Sequence, residues 1–149
     1  MWRFQSSDHE YISLHDHVVD AIISGENDII LVFNDGFDVT KTHPLNDTQK
    51  AKHTTEAQII LKAAHFVRGE VNYTVHQEGK EAYAVNRTAD FSTLIEDFKG
   101  FKVCTFEVKG GMLELLGVLK DEFTELSFSC TDIVFCWNDY SGDAWFERF

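Results

Sequence analysis

The sequence lacks several features that would place it in a specialised class of protein. No apolar run approaches the ~20 consecutive residues that a membrane helix requires. With 44% hydrophobic and 13% aromatic residues, the chain is too apolar to be disordered. Residues 1–8 do not contain the apolar segment of a signal peptide. We therefore expect a soluble, cytoplasmic protein without a membrane association.

Cysteine is scarce and odd in number. Cys104, Cys130 and Cys136 each lie within an apolar, β-like run. This placement is typical of small buried thiols that stay reduced, and it does not suit a disulfide framework. A chain of 149 residues can bury a sizeable core without such links. We predict a single β-rich domain over 1–149 that needs no disulfide or metal to fold.

The common catalytic motifs are missing as well. The sequence contains no Gly-rich phosphate loop, Walker pattern, CxxC pair, HExxH or GxSxG. Cys104 is a poor candidate nucleophile, because its neighbours Val103 and Phe106 are apolar and offer nothing to stabilise a thiolate. These absences lower the expectation of an enzyme without excluding one, and no cofactor is predicted.

The clearest structural signal is the apolar run 29–33, which ends in Asn34-Asp35-Gly36. The run predicts a central strand, and Asp-Gly predicts a hairpin turn into a second strand over 37–41. Together with a β-branched strand over 18–24, this would form a three-stranded meander. A related pattern recurs at 132–139, so we predict that 29–33 and 133–137 are both interior strands.

The rest of the chain also indicates β-structure, with one exception. Segment 56–68 is ambiguous between helix and strand, and we favour two strands, roughly 57–63 and 66–76. A single short amphipathic helix is predicted near 90–99, because apolar residues recur at helical spacing between an N-cap, Asp90, and a terminating Gly100. The remaining short strands and tight turns predict an all-β fold, an antiparallel sandwich or open barrel on which the helix packs as a lid.

Acidic residues are concentrated in two segments. Residues 8–38 contain eight acids and no Lys or Arg, and residues 121–149 contain seven acids and only Arg148, within a formal net charge of −12. Side by side, the two segments would form a strongly negative face. Such a field repels nucleic acid and membrane surfaces and speeds the capture of a basic partner. The alternative is an ordinary acidic surface that only keeps the protein in solution.

Histidines provide the best candidate for a metal site. His15 and His17 are two apart, so on a strand they would project to one side, and His9, Glu10 or His43 could join them. Two imidazoles and a carboxylate would suit zinc or iron. Without a third ligand at a defined spacing, hydrogen-bonded structure is the stronger interpretation. Acid–base pairs such as Asp35 with Asp38, or Asp139 with Asp143, are better explained by turn formation.

Aromatic residues near the second acidic segment suggest a protein interface. Tyr140 and Trp145 stand among acids, a mixture of rigid anchors and charge that interfaces favour. Core packing is the better interpretation for Trp137 and Phe146. For Tyr140 and Trp145, core packing and an interface stay equally open.

Three motifs in the first third of the chain carry a family resemblance: Leu14-His15-Asp16, Asn34-Asp35-Gly36-Phe37 and His43-Pro44-Leu45-Asn46. With them the chain resembles small uncharacterised bacterial cytosolic proteins, some of which resemble immunity proteins of polymorphic toxin systems. His17 departs from the pattern, where a small residue or Cys is expected. The resemblance implies an acidic single domain that sequesters a toxin, and it supplies no catalytic residues.

Two functions are therefore carried forward. The first is a non-catalytic protein-binding module, and more specifically an immunity-type inhibitor of a basic toxin; the second is a small-molecule-binding protein or hydrolase with a site at the mouth of the sandwich near His15 and His43. The oligomeric state is left open. The partner-binding residues predicted for the first function are Asp16, Asp20, Glu26, Asp35, Asp38, Asp139, Tyr140, Asp143 and Trp145.

Overall fold

The computed structural model describes residues 1–96, 98 and 100–148. They form three antiparallel sheets, with the strands numbered in chain order. In spatial order, the first sheet contains β1 (Phe4–Ser6), β14 (Asp132–Trp137), β8 (Ala57–Lys62), β5 (Ile29–Phe33) and β4 (Ala21–Ser24). The second contains β10 (Tyr83–Thr88), β9 (His65–Val75), β13 (Glu122–Ser129), β12 (Met112–Leu119), β11 (Phe101–Lys109) and β3 (Val18–Val19). The third contains β15 (Tyr140–Asp143), β7 (Lys52–Thr54), β6 (Asp38–Val39) and β2 (Ile12–Ser13).

One α-helix, α1 (Phe91–Glu96), and two short 3-10 turns, His9–Tyr11 and Trp145–Arg148, complete the described elements. The predicted all-β class with one short helix is confirmed. No helix among the described residues has the length and apolar character that a bilayer crossing would need.

The two related apolar runs are interior strands of the first sheet, as predicted. Strand β14 lies between β1 and β8, and β5 lies between β8 and β4. Alternate side chains of β5 are fully buried, and those between them are half-buried, which explains why the run is apolar on both faces. Segment 56–68 forms two strands, β8 and the start of β9, so the preferred interpretation of this ambiguous stretch is confirmed.

The predicted hairpin at Asn34-Asp35-Gly36 is wrong, although the turn exists. Gly36 has φ +74°, and its N–H donates to the Phe33 carbonyl at 3.1 Å. However, β5 is already hydrogen-bonded to β4 on one edge and β8 on the other, so β6 has no free edge to join. The turn instead carries the chain into the third sheet, where β6 pairs with β2 and β7.

The two related apolar runs, and the strands that follow them, lie on either side of the same two strands, β8 and β7. In the first sheet, β5 and β14 lie on either side of β8; in the third, the strands that follow them, β6 and β15, lie on either side of β7. Strand β7 directly precedes β8 in the chain. The repeat therefore brings the segments that follow the two apolar runs onto one small sheet, where β7 lies between them.

Aromatic contacts join this small sheet to the core. The ring of Phe37 lies edge to face against Phe33, Phe135 and Trp137, with centroid distances of 5.7, 5.9 and 6.1 Å. Such pairs contribute about 0.5–1.5 kcal/mol each beyond the area they bury. Residue 37 is therefore fixed in the interior, and this fixes the position of its neighbour Asp38.

The helix packs as predicted, with its apolar side on the sheets. Phe91 stacks on Phe66 at 4.7 Å, and Leu94 is buried. The carboxylate of Asp90 accepts hydrogen bonds from Ser92 and Thr93, which confirms the predicted N-cap. Gly100 has the positive φ expected of a terminating residue, +77°. Asp97 and Lys99, which the predicted helix included, lie outside the described residues.

Candidate functional site

The third sheet holds a cluster of one carboxylate and two imidazoles: Asp38, His17 and His53. Asp38 on β6 and His53 on β7 are direct cross-strand partners, which places their side chains next to each other. His17 precedes β3 and ends a tight turn in which its N–H donates to the Leu14 carbonyl at 3.0 Å. Its own carbonyl accepts from Val103 on β11 at 2.9 Å, so the second sheet holds His17 against Asp38.

Both oxygens of Asp38 are engaged by imidazoles. Oδ2 lies 2.8 Å from Nε2 of His17, and Oδ1 lies 2.8 Å from Nδ1 of His53. The carboxyl group is fully buried, whereas the side chains of His17 and His53 are 14% and 25% exposed. A buried carboxylate is tolerated only where hydrogen bonds replace its lost hydration, and in this cluster the two histidines provide them.

The second ring nitrogen of His53, Nε2, donates to a backbone carbonyl, which limits where the protons of the cluster can lie. Nε2 lies within hydrogen-bonding distance of the Asp35 carbonyl, which can only accept, so Nε2 carries a hydrogen. The contact between Nδ1 and Asp38 then contains one proton, held either by an imidazolium facing a carboxylate or by a neutral imidazole facing a carboxylic acid. Both arrangements satisfy every atom of this contact, and a shift of the proton interconverts them.

A shallow pocket of about 220 Å³ opens beside the cluster. Its remaining walls are Ser141, Gly142, Asp143 and Trp145. The ammonium group of Lys52 donates to Asp143 at 2.7 Å, and this contact lowers the pKa of the Asp143 carboxyl below its usual range. The pocket thus has an ionised carboxylate on its rim and a buried carboxyl group at its base.

Trp145 lies at the edge of this pocket and is 48% exposed. It contacts the ring of His15 at 6.5 Å and, edge to face, that of Phe146 at 5.6 Å. Phe146 is 38% exposed, so the expectation that it packs in the core is wrong, whereas Trp137 is fully buried as expected.

The predicted histidine site is only partly present. Of the predicted ligands, His17 joins the cluster, but its partners are Asp38 and His53. Nδ1 of His15 donates to the Cys104 carbonyl at 2.8 Å, and His43 is buried against Trp137 with a ring distance of 5.4 Å. His15 and His17 do not project together from a strand, because Asp16 between them has φ +65° and turns the chain.

The acids predicted to form one face are divided among several places. Asp38 is buried, so its side chain does not belong to any surface. Glu26 lies in the turn between β4 and β5, at the opposite end of β5 from Asp35. Asp20 is held near Asp35, since it accepts from the Asn34 N–H at 2.7 Å.

The remaining acids lie on or near the third sheet. Asp139 is 3.5 Å from Arg3, and its neighbour Tyr140 stacks on Phe4 at 6.0 Å. Burial raises the pKa of the Tyr140 hydroxyl. Asp16, which is exposed, lies 3.8 Å from the ammonium group of Lys102. Of these acids, only Asp143 lines the pocket. Asp16 directly precedes His17, and the Asp35 carbonyl accepts from Nε2 of His53, so both are next to residues that line it. Asp139 and Tyr140 do not line the pocket.

The prediction that the cysteines are buried is confirmed for Cys136 only, since Cys104 and Cys130 are half-buried. All three are free, and Cys136 is fully buried. Burial raises the pKa of the Cys136 thiol to about 11 and also raises that of Cys130. Both of these thiols therefore stay protonated at neutral pH, which makes them poor nucleophiles.

No family model, curated protein or solved structure matches this chain. Function is therefore inferred from the chain's own chemistry: the His17–Asp38–His53 cluster, the pocket beside it, and the aromatic and acidic residues at its rim.

Proposed function

We propose that this protein is a non-catalytic protein-binding module, and more specifically an immunity-type inhibitor that neutralises a basic partner such as a toxin domain. The observation that carries the proposal is the exposed aromatic pair Trp145 and Phe146, of which Trp145 lines the pocket. We call the surface formed by Asp16, Asp35, Asp143, Trp145 and Phe146 the rim surface.

The aromatic pair supplies what a protein interface uses as an anchor. Trp is the residue most enriched among those that dominate binding energy, and it acts from the centre of a patch that excludes water. Trp145 is half exposed, yet its ring is oriented by contacts with His15 and Phe146, so little conformational freedom remains to be lost on binding.

The charge of the rim surface fits a basic partner. Its acids come from both acidic segments of the sequence, 8–38 and 121–149. The Lys102–Asp16 ion pair is exposed, and such pairs contribute only about 0–1 kcal/mol. Arg or Lys from a partner can therefore replace this contact at little cost. The net charge of −12 would in addition accelerate the encounter.

Salt dependence and charge reversal test this proposal together. The tagged protein is used to capture its partner from the source organism, and the association rate is then measured from low to high ionic strength. We expect the rate to fall steeply with salt, since exposed charges are screened beyond about 8 Å at physiological ionic strength. Changing Asp16, Asp35 and Asp143 of the rim surface to Lys should flatten this dependence, whereas Glu107→Lys on β11 should not. An unchanged affinity and salt dependence in the triple variant would reject the proposal.

The pocket supports a second candidate function, the binding or hydrolysis of a small molecule. The residues for this function would be Asp38 and His53, because the carboxyl group of Asp38 orients the imidazole of His53. This location differs from the one expected from the sequence, near His15 and His43. At about 220 Å³ the pocket is smaller than the roughly 300–1,000 Å³ of typical ligand sites. This favours the first proposal. Unlike charge-driven docking, a pocket activity would respond weakly to salt.

A further inference from the structure

We propose that His17, Asp38 and His53 form a binding site for a divalent transition-metal ion, with zinc as the best-suited ion. One ligating atom from each residue can be chosen so that all three atoms lie within 4.8 Å of one another. Binding of the ion requires neither the partner nor the aromatic pair of the rim surface. The site can therefore be present whether or not the proposed function is correct.

The donor set is that of known metal centres. Two imidazole nitrogens and one carboxylate oxygen suit zinc, and they also suit iron in sites that keep open positions. With metal–ligand distances of about 2.0–2.1 Å, neighbouring ligands of a tetrahedral ion are about 3.3 Å apart. The two nitrogen–oxygen contacts at Asp38 are 2.8 Å long. Small side-chain rotations would therefore admit an ion in place of the shared protons.

The surroundings of His53 resemble the outer shell of a metal site. Metal-binding histidines generally donate their second ring N–H to a carbonyl or carboxylate, which fixes the tautomer and the orientation of the ring. Nε2 of His53 has this arrangement with the Asp35 carbonyl, and it leaves Nδ1 directed at Asp38.

The other two ligands are equally constrained. Asp38 is held by strand pairing and by the buried ring of Phe37, and backbone hydrogen bonds fix the turn that presents His17. Such preorganisation favours metal binding, since little side-chain freedom is lost.

The pocket provides the open coordination position. Three protein ligands leave a fourth position of a tetrahedral ion for water or an incoming group. Ser141 and Gly142 line the pocket beside the three ligands, and a Cβ atom built on Gly142 would meet nothing within 4 Å. The bound ion would be accessible from the rim surface.

Calorimetric titration of the chelator-treated protein with Zn²⁺ tests the proposal. We expect one equivalent to bind, and both His17→Gln and Asp38→Asn to weaken binding at least tenfold. These substitutions keep the hydrogen bonds of the cluster, because glutamine can donate from the position of Nε2 and asparagine can accept from His17 while donating to His53. His76→Gln, at an exposed histidine that follows β9, is the matched control and should bind as tightly as the wild type.

Absence of stoichiometric binding would overturn the proposal. Equal binding by all variants would overturn it as well, because the ion would then be bound by surface carboxylates or other histidines. A second measurement on the unaltered protein removes any dependence on variants that fold poorly. In ¹⁵N spectra of the histidine rings, Zn²⁺ should shift Nε2 of His17 and Nδ1 of His53 and leave His76 unchanged. Shifts confined to other histidines would equally contradict the site.

Discussion

Asp38 and His53 are direct partners across strands β6 and β7, and Oδ1 of the buried carboxylate lies 2.8 Å from Nδ1 of the imidazole. The other carboxylate oxygen is at the same distance from His17, which the second sheet holds in place. A single buried carboxyl group therefore links the third sheet to the second, and we expect it to stabilise the fold as well as to form the site.

Two replacements of Asp38 distinguish how much its hydrogen bonds and its charge each contribute to stability. Asp38→Ala leaves two imidazoles facing a buried gap, and we expect it to lower the free energy of unfolding by about 3–5 kcal/mol. Asp38→Asn keeps a partner for each imidazole, so its cost should be about 1 kcal/mol. Urea denaturation followed by tryptophan fluorescence measures both. Equal losses in the two variants would show that the hydrogen bonds do not stabilise this region.

Gly36 forms the turn that directs the chain from the first sheet to Asp38. A Cβ atom there would lie 2.2 Å from both Thr54 Oγ1 and the Thr55 carbonyl, and φ is +74°. Gly79 has a similar φ, +77°, but no atom would lie within 4 Å of its Cβ.

Alanine at these two positions distinguishes backbone strain from steric conflict. Gly79→Ala should cost about 1–2 kcal/mol, from the left-handed conformation alone. Gly36→Ala should cost at least about 2 kcal/mol more, since β7 must also move. Thermal unfolding of the two variants provides the comparison. Similar losses of stability would mean that the turn at Gly36 does not pack against β7.

Sequence patterns identified the strands whose apolar character is continuous, such as 29–33, and the helix capped by Asp90. These patterns failed where the pairing of a strand depends on other strands that are distant in the sequence. The turn at Gly36 has a hairpin sequence, but β8 occupies the edge that a hairpin partner would need. This competition between strands distant in sequence leaves no local signal.

The site was harder to predict because its parts lie in short elements. His53 is the central residue of β7, three residues long, within a polar stretch that is too short to show a period. Asp38 was expected at the surface because acids usually are, but both residues of β6 are buried. Asp38 also alternates with the apolar residues Phe37 and Val39, a pattern that predicts a strand with one exposed face and therefore places Asp38 on the surface.

His43 should make the protein sensitive to mild acid. Burial lowers the pKa of His43, although Asp8 and Glu10 partly oppose this effect. In the unfolded chain the imidazole has a pKa of about 6.5, so below this pH the unfolded state binds more protons than the folded state. The contribution to stability is complete above about pH 6.5, and it is lost as the pH falls towards the lower folded pKa.

The melting temperature between pH 7 and 5 measures this effect. His43→Phe retains the ring that packs on Trp137 and removes the titrating group, so its melting temperature should fall less with pH than that of the wild type. His76→Gln, at the exposed control site, should follow the wild-type curve. Identical slopes for His43→Phe and the wild type would assign the acid sensitivity to other groups.

The affinity of the captured partner for Trp145→Ala tests the proposed function most directly. Phe123, which is 42% exposed on β13, provides the control for loss of an exposed aromatic ring. If Trp145 anchors the interface, its removal should cost at least about 2 kcal/mol, a roughly 30-fold rise in Kd, with most of the change in the dissociation rate. Phe123→Ala should leave Kd within about twofold of the wild type. A partner that binds Trp145→Ala as tightly as it binds the wild type would contradict the assignment of the rim surface as the interface.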